Sequence, residues 1–162
     1  MELERTAFHE AGHAVGYIVC GLDLERVTIE RHLPFAGRTV LVPGAEMMNV
    51  VGHATAALCG AEAVRRWNPE RYDWRCGAEG DFLVADEFID KSVGEIRDLS
   101  QYVLRRATIS QRVRSDTERL VEDYWSSIQA VARALLATKT LLGSEVKKVF
   151  DLSLRARGRS EK

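Results

Sequence analysis

His9-Glu10-Ala11-Gly12-His13 is the stretch of this sequence that predicts most about its fold and chemistry. Two histidines four positions apart lie on one face of a helix, about 6 Å apart along its axis, so both imidazoles can reach one zinc ion. A glutamate between them can then take a proton from water beside the metal. The pattern predicts His9 and His13 as zinc ligands and Glu10 as the general base. The alternative is a structural helix whose histidines are coincidental and bind no metal.

Apolar residues recur every three or four positions on both sides of this stretch. They predict one amphipathic helix over about residues 3–20, with Gly21 as its C-cap. A metzincin would have a third histidine at position 19, but Val19 stands there, so the third ligand must come from elsewhere. The residues by themselves leave four candidates for that ligand: Asp81, Glu79, Glu62 and Asp86.

Two segments after the first helix have the composition of β-strands. Residues 26–31 and 38–42 are rich in β-branched side chains and are separated by a turn with Pro34 and Gly37, which predicts a β-hairpin. The hairpin is either a packing element alone or has a free edge strand near the zinc. Such an edge can hold an extended peptide through backbone hydrogen bonds.

The rest of the chain has helical periodicity. A second helix is predicted over residues 45–67, and further helices over about 82–92, 95–114, 118–137 and from Gly143 onward. Ser115-Asp116-Thr117 is expected to cap the helix that follows it. His53, inside the second helix, is expected to be a core or surface residue and not a ligand.

These elements predict a mainly α fold with a small β-hairpin or sheet (α+β). The length of 162 residues fits a single domain. Its zinc-site part is expected in residues 1–92 and its C-terminal helices in 93–156, with a tail over 157–162.

Composition excludes several classes of partner. A formal net charge of −1 predicts binding to neither nucleic acid nor an anionic membrane surface. No apolar run reaches the length of a membrane span, and no signal peptide begins the chain. Cys20, Cys59 and Cys76 are widely spaced and form no Cys-x-x-Cys pair, which predicts free thiols and a cytoplasmic location.

Residues 6–15 resemble the zinc helix in the peptidase domain of FtsH-type ATP-dependent zinc metalloproteases. Gly77-Ala78-Glu79-Gly80-Asp81 is similar to that family's Thr-Gly-Ala-x-x-Asp motif, whose aspartate is the third zinc ligand. The resemblance therefore implies Asp81 in that role. Residues 27–29 and 58–60 are also similar to family segments. By the same resemblance, the strand that faces the substrate includes Gly37, Arg38, Thr39 and Val40.

The resemblance implies a zinc-dependent endopeptidase, with Zn²⁺ as cofactor, that cuts unfolded polypeptides or peptides. By analogy it also implies a homo-oligomer in the form of a hexameric ring. The sequence has no Walker-type glycine loop, so any ATP-driven unfolding would need a separate ATPase as partner. The alternative is a catalytically weak or inactive zinc-containing module that binds peptides and acts through a partner. Val64-Arg65-Arg66, where the family has acidic residues, favours this alternative.

Overall fold

The computed structural model describes residues 2–31, 36–45, 48–70 and 78–160, and the side chains up to residue 158. Pro34, Cys76 and Gly77 lie outside these residues. The described chain is mainly helical with a small antiparallel sheet, which confirms the predicted fold class. None of its helices has the length and hydropathy needed to cross a bilayer. Its elements are α1 (Glu2–Val19), β1 (Leu24–Thr28), β2 (Arg38–Leu41), α2 (Val50–Trp67), α3 (Glu79–Val93), α4 (Leu99–Asp123), α5 (Trp125–Thr138), β3 (Thr140–Leu142) and α6 (Gly143–Ser160).

Helices α1 and α2 pack with their backbones unusually close together. A Cβ atom added at Gly12 would lie 2.4 Å from the Cys59 carbonyl oxygen, and one at Gly16 would lie 3.1 Å from the Ala56 Cα. Only residues without a side chain permit this approach. The main core forms around this contact, where buried residues of α1 meet α5, α6 and the sheet. The close packing also brings the backbone of α2 beside the histidine face of α1.

The sheet has the strand order β2-β1-β3 and is antiparallel throughout. The predicted hairpin is confirmed, although β1 begins and ends a few residues earlier than predicted. The third strand was not predicted from the sequence. It pairs Val27 with Leu141 and Thr28 with Thr140, and the two threonine hydroxyls lie 2.8 Å apart. Because β3 takes the other side of β1, β2 is an edge strand in the described part of the chain.

The predicted helix start at residues 115–117 is wrong, because α4 continues through this segment without a break. Asp116 accepts hydrogen bonds from Arg112 and Arg119 on the helix surface. The Thr117 hydroxyl donates to the Val113 carbonyl within the helix. The polar side chains are therefore satisfied inside a helix and have no need to cap one. Helix α2 also begins later than predicted, after Asn49, whose side chain caps it.

Candidate metal centre

Three possible metal-ligating atoms converge where α1 meets the first turn of α3. The Nε2 atoms of His9 and His13 lie 3.1 Å apart. The Oδ2 atom of Asp81 lies 3.0 Å from His9 Nε2 and 3.3 Å from His13 Nε2. A tetrahedral zinc ion with bonds of 2.0–2.2 Å would hold its ligand atoms about 3.3 Å apart. The triangle of donor atoms therefore has the size that such an ion requires.

Hydrogen bonding sets the tautomer of His13. Its Nδ1 lies 3.0 Å from the carbonyl oxygen of Ala56 on α2. A carbonyl can only accept, so Nδ1 carries the proton and, in the neutral ring, Nε2 presents its lone pair to Asp81. Gly60 lies against the other side of the imidazole, since a Cβ added there would be 2.4 Å from Nε2. Helix α2 thus holds His13 in the orientation of a metal ligand.

Asp81 Oδ2 has an environment that fits a bound cation. The atom is buried, and while the two nearby imidazole nitrogens are unprotonated no described residue donates a hydrogen bond to it. A buried carboxylate oxygen that faces a nitrogen lone pair is unfavourable unless a proton or a metal ion lies between them. One carboxylate with two imidazoles is a donor set that zinc prefers. The residues present therefore fit a zinc ion.

Of the four carboxylates that the sequence left open, only Asp81 joins the two histidines in the described part of the chain. It lies in the first turn of α3, where Ala78 and not Asp81 occupies the N-cap position. Glu62 instead pairs with Arg65, and Asp86 pairs with Arg106. The structure thus brings together the set that the family resemblance implied.

Without a metal, the ligating residues perturb one another's pKa values. Burial lowers the pKa of His13, but the charge and hydrogen bonding of Asp81 outweigh it and raise the pKa to about 9. Burial also raises the pKa of Asp81, and the charges and hydrogen bonds of the two histidines more than reverse this, holding it well below its usual range. Without a metal, a proton on His13 that faces the Asp81 carboxylate occupies the place that a metal ion would take, so metal and proton compete for this site.

Glu10 lies on the same turn of α1 and is held by the edge strand. Its carboxylate is buried, and the Thr39 hydroxyl donates to Oε2 over 2.8 Å. Gly37 packs directly on this side chain, because an added Cβ would lie 2.8 Å from Glu10 Oε1. Residues 37–39 and the three candidate ligands line one cavity of about 390 Å³. Val40, which the resemblance grouped with them, pairs with Arg26 and is not among the described residues that line it.

Besides Thr6, two further residues of α1 line this cavity and were not singled out from the sequence. Arg5 precedes His9 by four residues, and Tyr17 follows His13 by four. The spacing 5, 9, 13, 17 was visible in the sequence and places all four side chains on one helix face. The Tyr17 hydroxyl lies 3.4 Å from Nε2 of His53, which is buried and stacks on a phenylalanine ring. His53 is therefore a core residue, as predicted.

No family model matches the chain, and no curated protein is significantly similar to it. The resemblance to FtsH-type peptidases consequently rests on the quoted sequence motifs alone. The metal ligands and the general base remain assignments by chemistry and geometry.

Proposed function

We propose that this protein is a zinc-dependent endopeptidase that hydrolyses peptide bonds of unfolded polypeptides. One observation carries the proposal. The ligating atoms of His9, His13 and Asp81 lie close enough together to bind one zinc ion, and Glu10 lines the same cavity. Each of these residues has the chemistry that a metallopeptidase needs at that place.

When bound, zinc supplies a Lewis acid and lowers the pKa of nearby water. Glu10 takes a proton from the attacking water and delivers it to the amide nitrogen of the leaving segment. The hydrogen bond from Thr39 fixes Oε2 of Glu10 and leaves Oε1 for the water. Because Glu10 is buried, little bulk water reaches its carboxylate, so the proton that it takes up is delivered to the substrate and is not lost to solvent.

The free edge of strand β2 indicates which class of substrate can bind. One side of β2 pairs with β1, and within the described residues its other side has no strand partner. An extended polypeptide can add there through backbone hydrogen bonds and so pass Glu10 and the metal ligands. A folded domain does not present a free extended strand, so the substrate class is unfolded or flexible polypeptide.

The metal part of the proposal is tested by zinc analysis of the purified protein. We expect about one zinc per chain in the wild type and its loss in His13→Ala and Asp81→Asn. Asp86→Asn is the matched control, since this carboxylate lies on the same helix but pairs with Arg106. Absence of zinc from the wild type, or full zinc in Asp81→Asn, would refute the assignment.

The catalytic part is tested with unfolded casein. Zinc-loaded wild type should cleave it, and Glu10→Gln should retain zinc without cleaving. A fragment pattern that persists in Glu10→Gln would show that the activity arises elsewhere.

Two observations favour the alternative of a weakly active or inactive peptide-binding module, because both concern groups that would orient the zinc histidines. Arg65 and Arg66 form ion pairs with Glu62 and Glu122. No described residue makes a hydrogen bond to His9 Nδ1, whereas metal-bound histidines are normally oriented through that atom. Such a module would bind zinc and casein equally well in wild type and Glu10→Gln and would cleave in neither. Such a module would act through a partner, either a separate ATPase or the other copies of a six-membered ring.

A further inference from the structure

The Arg5 side chain takes no part in the proposed hydrolysis, although it lines the same cavity as the metal ligands. Its Nε is buried and has no hydrogen-bond partner among the described residues. A buried guanidinium nitrogen without an acceptor is costly, so such an atom normally meets a partner in the functional state. The planar guanidinium is best matched by a carboxylate, which accepts two parallel hydrogen bonds.

The charge of the cavity favours an anionic ligand. Arg5 and Arg38 line it together with the carboxylates of Glu10 and Asp81. A divalent ion added to this set makes the total positive. An acidic group of the substrate would therefore be attracted to the metal-loaded cavity.

Helix geometry gives the distance of Arg5 from the reacting bond. Arg5 precedes the midpoint between His9 and His13 by six residues, which is about 9 Å along the helix axis. Strand β2 begins beside this end of α1, because an atom added at Gly37 would meet both Thr6 and Glu10. A peptide aligned with β2 advances about 3.3 Å per residue, so 9 Å corresponds to two or three residues.

We propose that the Arg5 guanidinium is a subsite for a carboxylate of the polypeptide substrate, two or three residues from the bond that is cleaved. The proposal rests on the endopeptidase function and adds a substrate class to it. The carboxylate belongs either to an aspartate or glutamate side chain or to the carboxyl terminus of the peptide. Both sources have the same chemistry at Arg5 and are separated by experiment.

The experiment measures peptide binding in zinc-loaded Glu10→Gln, which cannot cleave. Fluorescence anisotropy gives Kd for a neutral, unstructured parent peptide and for a series in which one glutamate moves along it. A second series carries glutamine at the same places, and each peptide is made with a free and an amidated carboxyl terminus. We expect one register to prefer glutamate over glutamine about tenfold, or the free terminus to bind about tenfold more tightly than the amide.

Adding Arg5→Gln should abolish the preference, while binding of the neutral parent peptide and the zinc content remain unchanged. Arg5→Lys keeps the charge without the planar pair of donors and should retain a reduced preference. Arg105→Gln removes the same charge from an exposed position that does not line the cavity, and should change nothing.

Equal affinity for glutamate and glutamine peptides in every register, together with equal affinity for free and amidated termini, overturns the Arg5 assignment. Undetectable binding of every acidic peptide, or a preference that survives Arg5→Gln, overturns it too. These readouts are ratios of Kd in a protein that does not cleave, so they can refute the Arg5 proposal without refuting the endopeptidase proposal. That proposal fails on zinc content and casein cleavage.

Discussion

Replacing Gly60 with alanine should displace one metal ligand without altering any ligating or catalytic side chain. The new methyl would lie 2.4 Å from Nε2 of His13, whereas ordinary contacts begin near 3.4 Å, so the imidazole must move by about 1 Å. Zinc sites tolerate deviations of only about 0.2 Å in their bonds. We therefore expect zinc affinity to fall by about tenfold to a hundredfold.

The same substitution affects folding in two opposite ways. Alanine in a helix interior gains about 1 kcal/mol in propensity over glycine, and overpacking costs about 1–3 kcal/mol. Gly60→Ala should thus be neutral to moderately destabilising in urea unfolding of the metal-free protein.

Gly80→Ala is the matched control, since it lies beside Asp81 on α3 and an added Cβ meets nothing within 4 Å. Competition with a chromogenic chelator measures zinc affinity in both variants. If Gly60→Ala binds zinc as tightly as Gly80→Ala and the wild type, His13 is not held against α2 in the metal-bound protein, and the account of the site is wrong.

Thr39→Val should lower kcat about tenfold through loss of the hydrogen bond to the Glu10 carboxylate, with zinc content intact and Thr39→Ser close to wild type. In the metal-free protein, the ion pair of His13 and Asp81 should stabilise the fold fully between pH 3.8 and 6.5, the ordinary pKa values of the two groups. This contribution should disappear as the pH rises through about 9, where His13 loses its proton, so Tm should fall over that range in the wild type and not in His13→Gln. Phe8→Ala should cost about 3 kcal/mol in urea unfolding, because the ring stacks between two tryptophans at 5.3 and 5.6 Å; Phe8→Leu should cost less.

Local patterns in the sequence were sufficient for α1 and for the hairpin. The histidine spacing and the apolar period of α1 both follow the helical repeat of three to four residues, so this one segment is enough to predict the helix and the face that carries the histidines. Strand β3 was not predictable in this way. It has three residues and pairs with β1 across more than one hundred positions, and no periodicity can be read from so short a segment. The prediction around Asp116 failed for a different reason. Its polar residues predicted a cap, but Asp116 and Thr117 find partners within α4, and Thr117 also donates to the Thr55 carbonyl of α2.

The sequence by itself determined that His9, Glu10 and His13 share one turn of a helix, because that arrangement follows from backbone geometry alone. Tertiary structure decided which carboxylate faces them, since Glu62 and Asp86 have the same chemistry as Asp81 but are drawn into ion pairs with arginines. It also decided the orientation of His13, through the Ala56 carbonyl. The orientation of His13 depends on how closely α1 and α2 approach, and this distance is set by glycine contacts between the two helices, which no single segment encodes.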